Sequence, residues 1–120
     1  MRCAHVAASI LCVFLLVSNL GAQQTTWSPL ASTGTPSARS ELGFDGDSLS
    51  GFYVAFGGFL ATGFPTDETW TYDGAQTWTQ VFPAQLPPAR GGELVFDPGR
   101  GVFVTHGGYS GMSGASGIWG

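Results

Sequence analysis

The amino-acid sequence predicts an all-β fold built from repeated antiparallel units, and three observations support this prediction. Glycine contributes 19 of the 120 residues, and 13% of the residues are aromatic whereas only 10% are charged. Short apolar stretches alternate with Gly-Gly, Asp-Gly and proline-containing turns, which is typical of short strands. The stretch from Pro36 to Gly58 recurs as Pro87 to Gly108, so the chain contains an internal repeat of about 50 residues.

The two copies of this repeat can be aligned residue by residue. Identical pairs occur in one order along the chain, with small changes of spacing that indicate loops of different length. The pairs are Trp27–Trp78, Pro36–Pro87, Ala38–Ala89 and Arg39–Arg90 at a spacing of 51, Glu41–Glu93, Leu42–Leu94, Phe44–Phe96 and Asp45–Asp97 at 52, Gly51–Gly101, Val54–Val104, Gly57–Gly107 and Gly58–Gly108 at 50, and Trp70–Trp119 at 49. Such a period indicates units that bury their faces against one another.

Residues 1–22 have the features of a secretory signal peptide, and we expect residues 23–120 to form the exported β segment. Arg2 precedes an apolar run from Ala7 to Val17, and the small pair Gly21-Ala22 follows as a cleavage site. The apolar run is too short to span a bilayer, so no membrane span is expected. We therefore expect a secreted, periplasmic or cell-surface protein.

The remaining composition argues against several classes of partner and cofactor. Both cysteines, Cys3 and Cys12, lie in the signal segment, so neither a disulfide framework nor a thiolate metal site is expected beyond it. The chain has a formal net charge of −4. Nucleic-acid binding requires a cationic surface that releases counterions from phosphates, and this chain offers none. Attachment to an anionic membrane surface is disfavoured for the same reason.

Turn signals divide residues 23–120 into short strands. The first unit is predicted to contain strands at Ser40–Asp45, Gly51–Phe56, Glu68–Tyr72 and Thr77–Val81, preceded by a short strand at 25–28 and interrupted by a loop at Phe59–Thr66. The second unit is predicted to contain Glu93–Phe96, Gly101–Thr105 and Ile118–Gly120. The strand Gly51–Phe56 is apolar at consecutive positions, which suits a strand covered on both faces. No helix is predicted outside the signal segment.

Units of this kind resemble the kelch repeat, a four-stranded blade of a β-propeller that is also found in galactose oxidase. The resemblance rests on Pro-x-x-Arg, on an apolar strand that ends in Gly-Gly, and on the sequences Asp67-Glu68-Thr69-Trp70-x-Tyr72-Asp73 and Trp78-Thr79-Gln80-Val81. It implies that residues 39–81 form one blade, that residues 90–120 form part of a second, and that residues 25–28 are an outermost strand. About two blades make an incomplete ring, because propellers need four to eight. The neighbouring blades would come from the rest of a longer chain or, as an alternative, from further copies of this one.

Several recurring residues have structural interpretations in such a blade. Glycine takes the positive φ values needed where a crowded strand ends, which is the role predicted for Gly57, Gly58, Gly107 and Gly108. The tryptophans recur in phase with the blades, so packing between blades is predicted for Trp27, Trp70, Trp78 and Trp119. His106 occupies the place of Phe56 and is also expected to pack there.

The candidate binding residues lie where strand connections meet on one face of the ring. Arg39 and Arg90 begin equivalent strands and are expected to share that face with Phe59, Phe64 and Tyr109. Guanidinium hydrogen bonds and aromatic stacking suit an anionic or carbohydrate ligand. In the alternative interpretation, each arginine instead pairs with an acidic residue such as Glu41 or Glu93 and holds the fold together.

These patterns favour an exported binding module for a protein or glycan, with no catalytic residue, metal ligand or cofactor expected in this segment. Galactose oxidase binds copper through paired histidines and tyrosines, and this constellation is missing, so its activity is not carried over by the resemblance. Two alternatives remain open. The chain is part of a propeller enzyme whose active residues lie outside these residues, or it is a structural domain of a large exported protein.

Overall fold

The computed structural model describes residues 26–111 and 113–120, and the chain is all-β throughout these ranges. The strands are β1 (Arg39–Ser40), β2 (Gly43–Gly46), β3 (Tyr53–Phe56), β4 (Phe59–Leu60), β5 (Thr69–Tyr72), β6 (Trp78–Val81), β7 (Leu94–Asp97), β8 (Val102–His106) and β9 (Ile118–Trp119). The predicted fold class is therefore confirmed. The predicted signal peptide lies outside the described residues. Among those described, no helix is long and apolar enough to cross a membrane.

The first unit forms a four-stranded antiparallel sheet in the order β2-β3-β5-β6. In the turns of its hairpins, aspartate side chains accept hydrogen bonds from backbone N–H groups, as the turn sequences predict. Asp47 accepts a hydrogen bond from the backbone N–H of Leu49 at 2.8 Å, and Asp73 accepts three from the turn between β5 and β6. The strands thus follow one another as a meander.

The second unit forms a three-stranded antiparallel sheet in the order β7-β8-β9. The β7–β8 hairpin turns at Asp97, whose carboxylate accepts a hydrogen bond from the backbone N–H of Gly99 at 2.9 Å. The strand predicted at Glu93–Phe96 begins and ends one residue later than expected, at Leu94 and Asp97.

Hairpin register corrects the alignment of the two units. In the first hairpin Asp45 lies opposite Val54, and in the second Val95 lies opposite Val104. Since Val54 and Val104 are equivalent, Asp45 corresponds to Val95 rather than to Asp97. The spacing of 52 predicted for this stretch is wrong, and the hairpin is equivalent at 50. A shift of two residues keeps every side chain on the same face, so the pattern of apolar residues does not reveal it.

The two sheets pack against each other through β2 and β7. The carboxylate of Asp45 accepts a hydrogen bond from the backbone N–H of Phe96 at 2.7 Å. Gly43 allows the close approach, because a Cβ atom there would lie 2.8 Å from Cβ of Leu94. Between the sheets lies a cavity of about 250 Å³, lined by Val54, Phe56, Thr69, Pro83, Gln85, Pro87, Leu94, Phe103, Thr105, Trp119 and Gly120.

Both sheets are stacked in the same sense. Leu94 and Phe103 face the first sheet, and by the hairpin register they correspond to Phe44 and Tyr53. Phe44 and Tyr53 themselves belong to an aromatic cluster on the opposite face of the first sheet, where their rings stack at 5.6 Å. The equivalent side chains of the two units therefore point in the same direction. Leu94 and Phe103 of the second unit contact the first sheet, whereas Phe44 and Tyr53 of the first unit lie on the face that points away from the second sheet. Packing of this kind is head-to-tail and leaves one face of each type uncovered among the described residues.

Some predicted packing does not occur in this chain. Trp27 is 98% exposed rather than packed, and residues 26–28 form no strand. His106 is exposed on the uncovered face of the second sheet, contrary to expectation. No further sheet covers these positions in the part of the chain that the structure describes. Trp70 and Trp78 are partly buried, as predicted, whereas Trp119 is exposed.

The connection predicted as a loop at Phe59–Thr66 begins with a short strand. This strand, β4, pairs with β1, so that Ser40 lies opposite Phe59. The chain turns back at once, because Leu60 donates its backbone N–H to the carbonyl of Phe64 at 3.0 Å. The β4 hairpin is thereby fixed beside the start of the first unit.

Candidate functional site

The Gly-Gly pairs fix the end of the sheets where the candidate residues lie. Gly57, Gly58, Gly107 and Gly108 all have positive φ. A Cβ atom on Gly57 would lie 2.2 Å from the carbonyl oxygen of Arg90, and Gly58 donates its backbone N–H to that oxygen at 2.8 Å. The strand end of the first unit is thus hydrogen-bonded directly to the beginning of the second.

Arg39 is a structural residue in this arrangement, because its side chain is 4% exposed and all three guanidinium nitrogens donate. Nε donates to the carbonyl of Ser37 at 3.1 Å and Nη1 to that of Gly57 at 3.2 Å. Nη2 donates to the hydroxyl of Ser37 and to the carboxylate of Glu68. The acidic partner is therefore Glu68 rather than Glu41.

Glu68 joins two donors through one oxygen. Its Oε2 accepts from Arg39 and also from Nε1 of Trp70 at 3.0 Å. The hydrogen bond from Arg39, followed by that from Trp70, lowers the pKa of Glu68 below 4.5. The carboxylate therefore remains charged at neutral pH and ties the beginning of the first unit to β5.

Arg90 is 2% exposed and is the largest fully buried side chain of the described residues. Its Nε donates to the carbonyl of Pro88 at 3.0 Å and its Nη1 to that of Gly107 at 2.7 Å. No ion pair to Arg90 occurs within residues 26–111 and 113–120, so the pairing expected with Glu93 is not formed. Arg90 is surrounded by carbonyl oxygens instead.

The aromatic candidates lie in the β4 hairpin and in the loop after β8. We define the rim patch as Phe59, Phe64 and Tyr109. The rings of Phe59 and Tyr109 lie 5.9 Å apart at an interplanar angle of 37°, which joins a residue of the first unit to one of the second. Tyr109 is 48% exposed and Phe64, on the turn after β4, is 72% exposed.

Local contacts hold the rim patch in place. Phe59 packs against Gly91, where a Cβ atom would lie 2.7 Å from the phenyl ring. The hydroxyl of Tyr109 donates to the carbonyl of Gly111 at 3.0 Å, which orients the ring. Gly111 in turn lies beside Phe59 and Pro65. The β4 turn and the loop after β8 are therefore neighbours on one surface.

The structure thus brings Phe59 and Tyr109 together and places Phe64 in the adjoining turn, whereas Arg39 and Arg90 lie buried. Sequence reasoning missed Glu68 as the partner of Arg39. The repeat gave no signal for this pairing, because the position in the second unit that aligns with Glu68 is Gly117. In the described residues no group of three or more histidine, cysteine, aspartate or glutamate side chains is arranged to hold a metal ion.

Comparison with protein-family models, with curated proteins and with solved structures finds no match to this chain.

Proposed function

We propose that the chain supplies one kelch-type blade and part of a second blade of an exported β-propeller and that its rim patch binds glycans. The four-stranded meander, the Pro-x-x-Arg starts and the Gly-Gly strand ends support the kelch assignment. The head-to-tail stacking of the two sheets supports a propeller, because each unit offers a neighbour the same pair of faces.

The observation that carries the binding proposal is the exposure of ordered aromatic rings on the rim patch. Phe64 is 72% exposed and Tyr109 is 48% exposed. Exposed apolar groups that cluster on a surface mark interaction sites. Aromatic faces with a polar edge, such as that of Tyr109, suit the apolar faces and hydroxyls of sugar rings.

The size of the rim patch favours a sugar over a protein surface. A stable protein partner usually covers about 800 Å² on each side. Three aromatic rings instead match one or two sugar residues, and the patch itself carries no charged side chain. The proposed ligand is therefore a neutral or weakly charged glycan.

Glycan-array screening of the full chain, followed by titration of the best ligand, tests this proposal. Phe64→Ala and Tyr109→Ala should each weaken binding by about tenfold, because loss of a stacked aromatic ring costs about 1–2 kcal/mol. Phe52→Ala is the matched control, since Phe52 is also exposed but precedes β3, at the opposite end of that strand from the rim patch. Equal weakening by Phe52→Ala, or no binding to any glycan class, would contradict the proposal.

A further inference from the structure

The first unit has one more residue than the second between the start of the unit and its hairpin. Ser40 lies opposite the first residue of β4, and Gly91 lies opposite Tyr109 in the same way. By the hairpin register, Phe44 of the first unit corresponds to Leu94 of the second. Three residues separate Ser40 from Phe44, whereas two separate Gly91 from Leu94. The kink between β1 and β2 therefore contains an additional residue.

The additional residue is Glu41. A Cβ atom on Gly58 would lie 3.1 Å from Cβ of Leu42, and a Cβ atom on the equivalent Gly108 would lie 3.2 Å or more from the backbone of Gly92, whose Cα is 3.5 Å away. Leu42 and Gly92 thus occupy corresponding places beside the second glycine of each pair. Glu41 has no counterpart in the second unit.

The backbone of Glu41 has a φ of 54°, in the left-handed region that an L-residue enters at a steric cost. Its carbonyl accepts a hydrogen bond from the backbone N–H of Gly92 at 3.0 Å, which ties the kink to the second unit. That hydrogen bond accounts for the position of the backbone, and it does not involve the carboxylate. Residues held in such conformations cluster at functional sites, where the side chain has a task.

The side chain of Glu41 begins at the border of the rim patch. A Cβ atom on Gly91 would lie 3.1 Å from Cβ of Glu41 and 2.7 Å from the ring of Phe59, so both side chains adjoin the same point. Gly91 and Tyr109 also exchange two backbone hydrogen bonds of 2.8 Å. Glu41 is exposed, so its carboxylate can reach a ligand that contacts Phe59.

No arginine or lysine of the described residues neutralises this carboxylate. Arg39 is buried in its ion pair, and Arg90 is buried among carbonyl oxygens. Arg100 pairs with Asp97 at 3.1 Å in the β7–β8 turn, and the sequence contains no lysine. Glu41 therefore gives the border of the rim patch a negative charge.

We propose that Glu41 determines which glycans the rim patch accepts, by binding hydroxyl groups of neutral sugars and excluding acidic sugars. The two oxygens of a carboxylate accept charge-assisted hydrogen bonds, so they suit a pair of hydroxyl groups on neighbouring carbons of a sugar that stacks on Tyr109 and Phe59. A uronic acid brings a second carboxylate, and the repulsion of like charges discriminates against it. This role rests on glycan binding at the rim patch, as proposed above.

The test compares neutral and acidic oligosaccharides that differ in one group of each sugar. The full chain is titrated by calorimetry, at low and constant ionic strength, with oligomers of galactose and galacturonic acid, of glucose and glucuronic acid, and of mannose and mannuronic acid. In each pair that binds, the neutral member should bind about fivefold more tightly, as expected for like charges a few ångströms apart in water. Equal affinity within the pairs, or tighter binding of the acidic members, would overturn the proposal.

Variants of Glu41 separate its charge from its hydrogen bonds. Glu41→Gln keeps an acceptor and removes the charge, so the neutral and acidic members should then bind within about twofold of each other. Glu41→Gly removes the side chain and should weaken binding of the neutral member about tenfold, because a hydrogen bond to a charged group is lost. The same variant should be more stable than the unchanged chain, since glycine relieves the strain. A residue with only a structural role would not combine higher stability with weaker binding, so Glu41→Gly that binds as tightly as the unchanged chain would contradict the proposal.

Asp47→Asn is the matched control for charge. Asp47 lies in the β2–β3 turn, at the opposite end of that hairpin from the rim patch, and asparagine retains an oxygen for the backbone N–H of Leu49. This variant should keep the preference for neutral sugars. Loss of the preference in Asp47→Asn, or its survival in Glu41→Gln, would refute the role of Glu41.

The outcomes also separate this role from glycan binding itself. Loss of all binding in Tyr109→Ala, together with an unchanged preference in Glu41→Gln, would leave glycan binding standing and remove the role of Glu41 alone. Absence of binding by all of these oligosaccharides would overturn the role of Glu41, and absence of binding across the whole glycan array would overturn both proposals.

Discussion

Replacement of Gly57 by alanine is expected to destabilise the contact between the two units severely. Gly57 has a φ of +68°, and its Cβ would lie 2.2 Å from the carbonyl oxygen of Arg90. Gly101 provides a matched control, because it has the same φ of +68° but no atom within 4 Å of the Cβ position. The two alanine variants therefore share the backbone strain and differ in the steric contact.

The expected losses follow from these two contributions. A left-handed conformation costs an L-residue about 1–2 kcal/mol, and the lower entropy of the unfolded chain returns about 0.4–1 kcal/mol. Gly101→Ala should therefore lose roughly 1 kcal/mol. Gly57→Ala must in addition displace the Arg90 carbonyl and the hydrogen bond it accepts from Gly58, which adds about 2–4 kcal/mol. The total for Gly57→Ala is about 3–5 kcal/mol.

Urea unfolding of both variants, followed by tryptophan fluorescence, measures this difference. Losses that agree within about 0.5 kcal/mol, the usual range for changes without a specific contact, would refute the argument from the close approach. Failure of Gly57→Ala to fold while Gly101→Ala folds normally would agree with it.

Two further perturbations test local features of the chain. Hydrogen bonds from the backbone N–H groups of Thr77, Ala75 and Gln76 lower the pKa of Asp73 from 3.8 to about 2. The charged carboxylate should therefore stabilise the fold fully above about pH 4, and this stabilisation should be lost as the pH falls through about 2. The urea midpoint of the unchanged chain should therefore exceed that of Asp73→Asn at pH 7, and a gap that stays constant down to pH 2 would contradict this. Among the described residues, Glu41 is the non-glycine residue with a positive φ, at 54°. Because glycine adopts this conformation without the steric cost that an L-residue has, Glu41→Gly should raise the free energy of unfolding by up to about 1 kcal/mol, measured by thermal unfolding. Glu93→Gly, at an exposed position without positive φ, should instead lower stability, and the same sign for both variants would argue against strain at Glu41.

The strands were predictable because their signals are local. Asp-x-Asp and Asp-Gly turns, with apolar residues between them, gave the β2–β3 and β5–β6 hairpins to within a few residues. The register of β7 was not predictable from the sequence that the two units share. Glu-Leu-x-Phe-Asp occurs in both units, but pairing across the hairpin shifts one copy by two residues, and the alternation of faces is unchanged by such a shift.

The candidate site was predictable only in part. The aromatic residues of the rim patch could be placed on one surface from the order of strands and loops. The roles of the arginines depended on contacts across 18 to 29 residues of sequence, which link Arg39 to Gly57 and Glu68. The sequences around Arg39 and Arg90 are similar, but their surroundings in the fold differ. Arg39 pairs with the carboxylate of Glu68, whereas Arg90 donates to backbone carbonyl oxygens.

The sequence alone determined that this protein is all-β, where its turns lie and that it consists of similar units. These features depend on residues that are close together in the chain, because such residues set the backbone conformation and the alternation of side chains between the two faces of a strand. The tertiary structure decided which face of one sheet meets which face of the other and where Arg90 becomes buried. These features depend on residues that are distant in the chain and meet only when two sheets pack, so no local pattern specifies them.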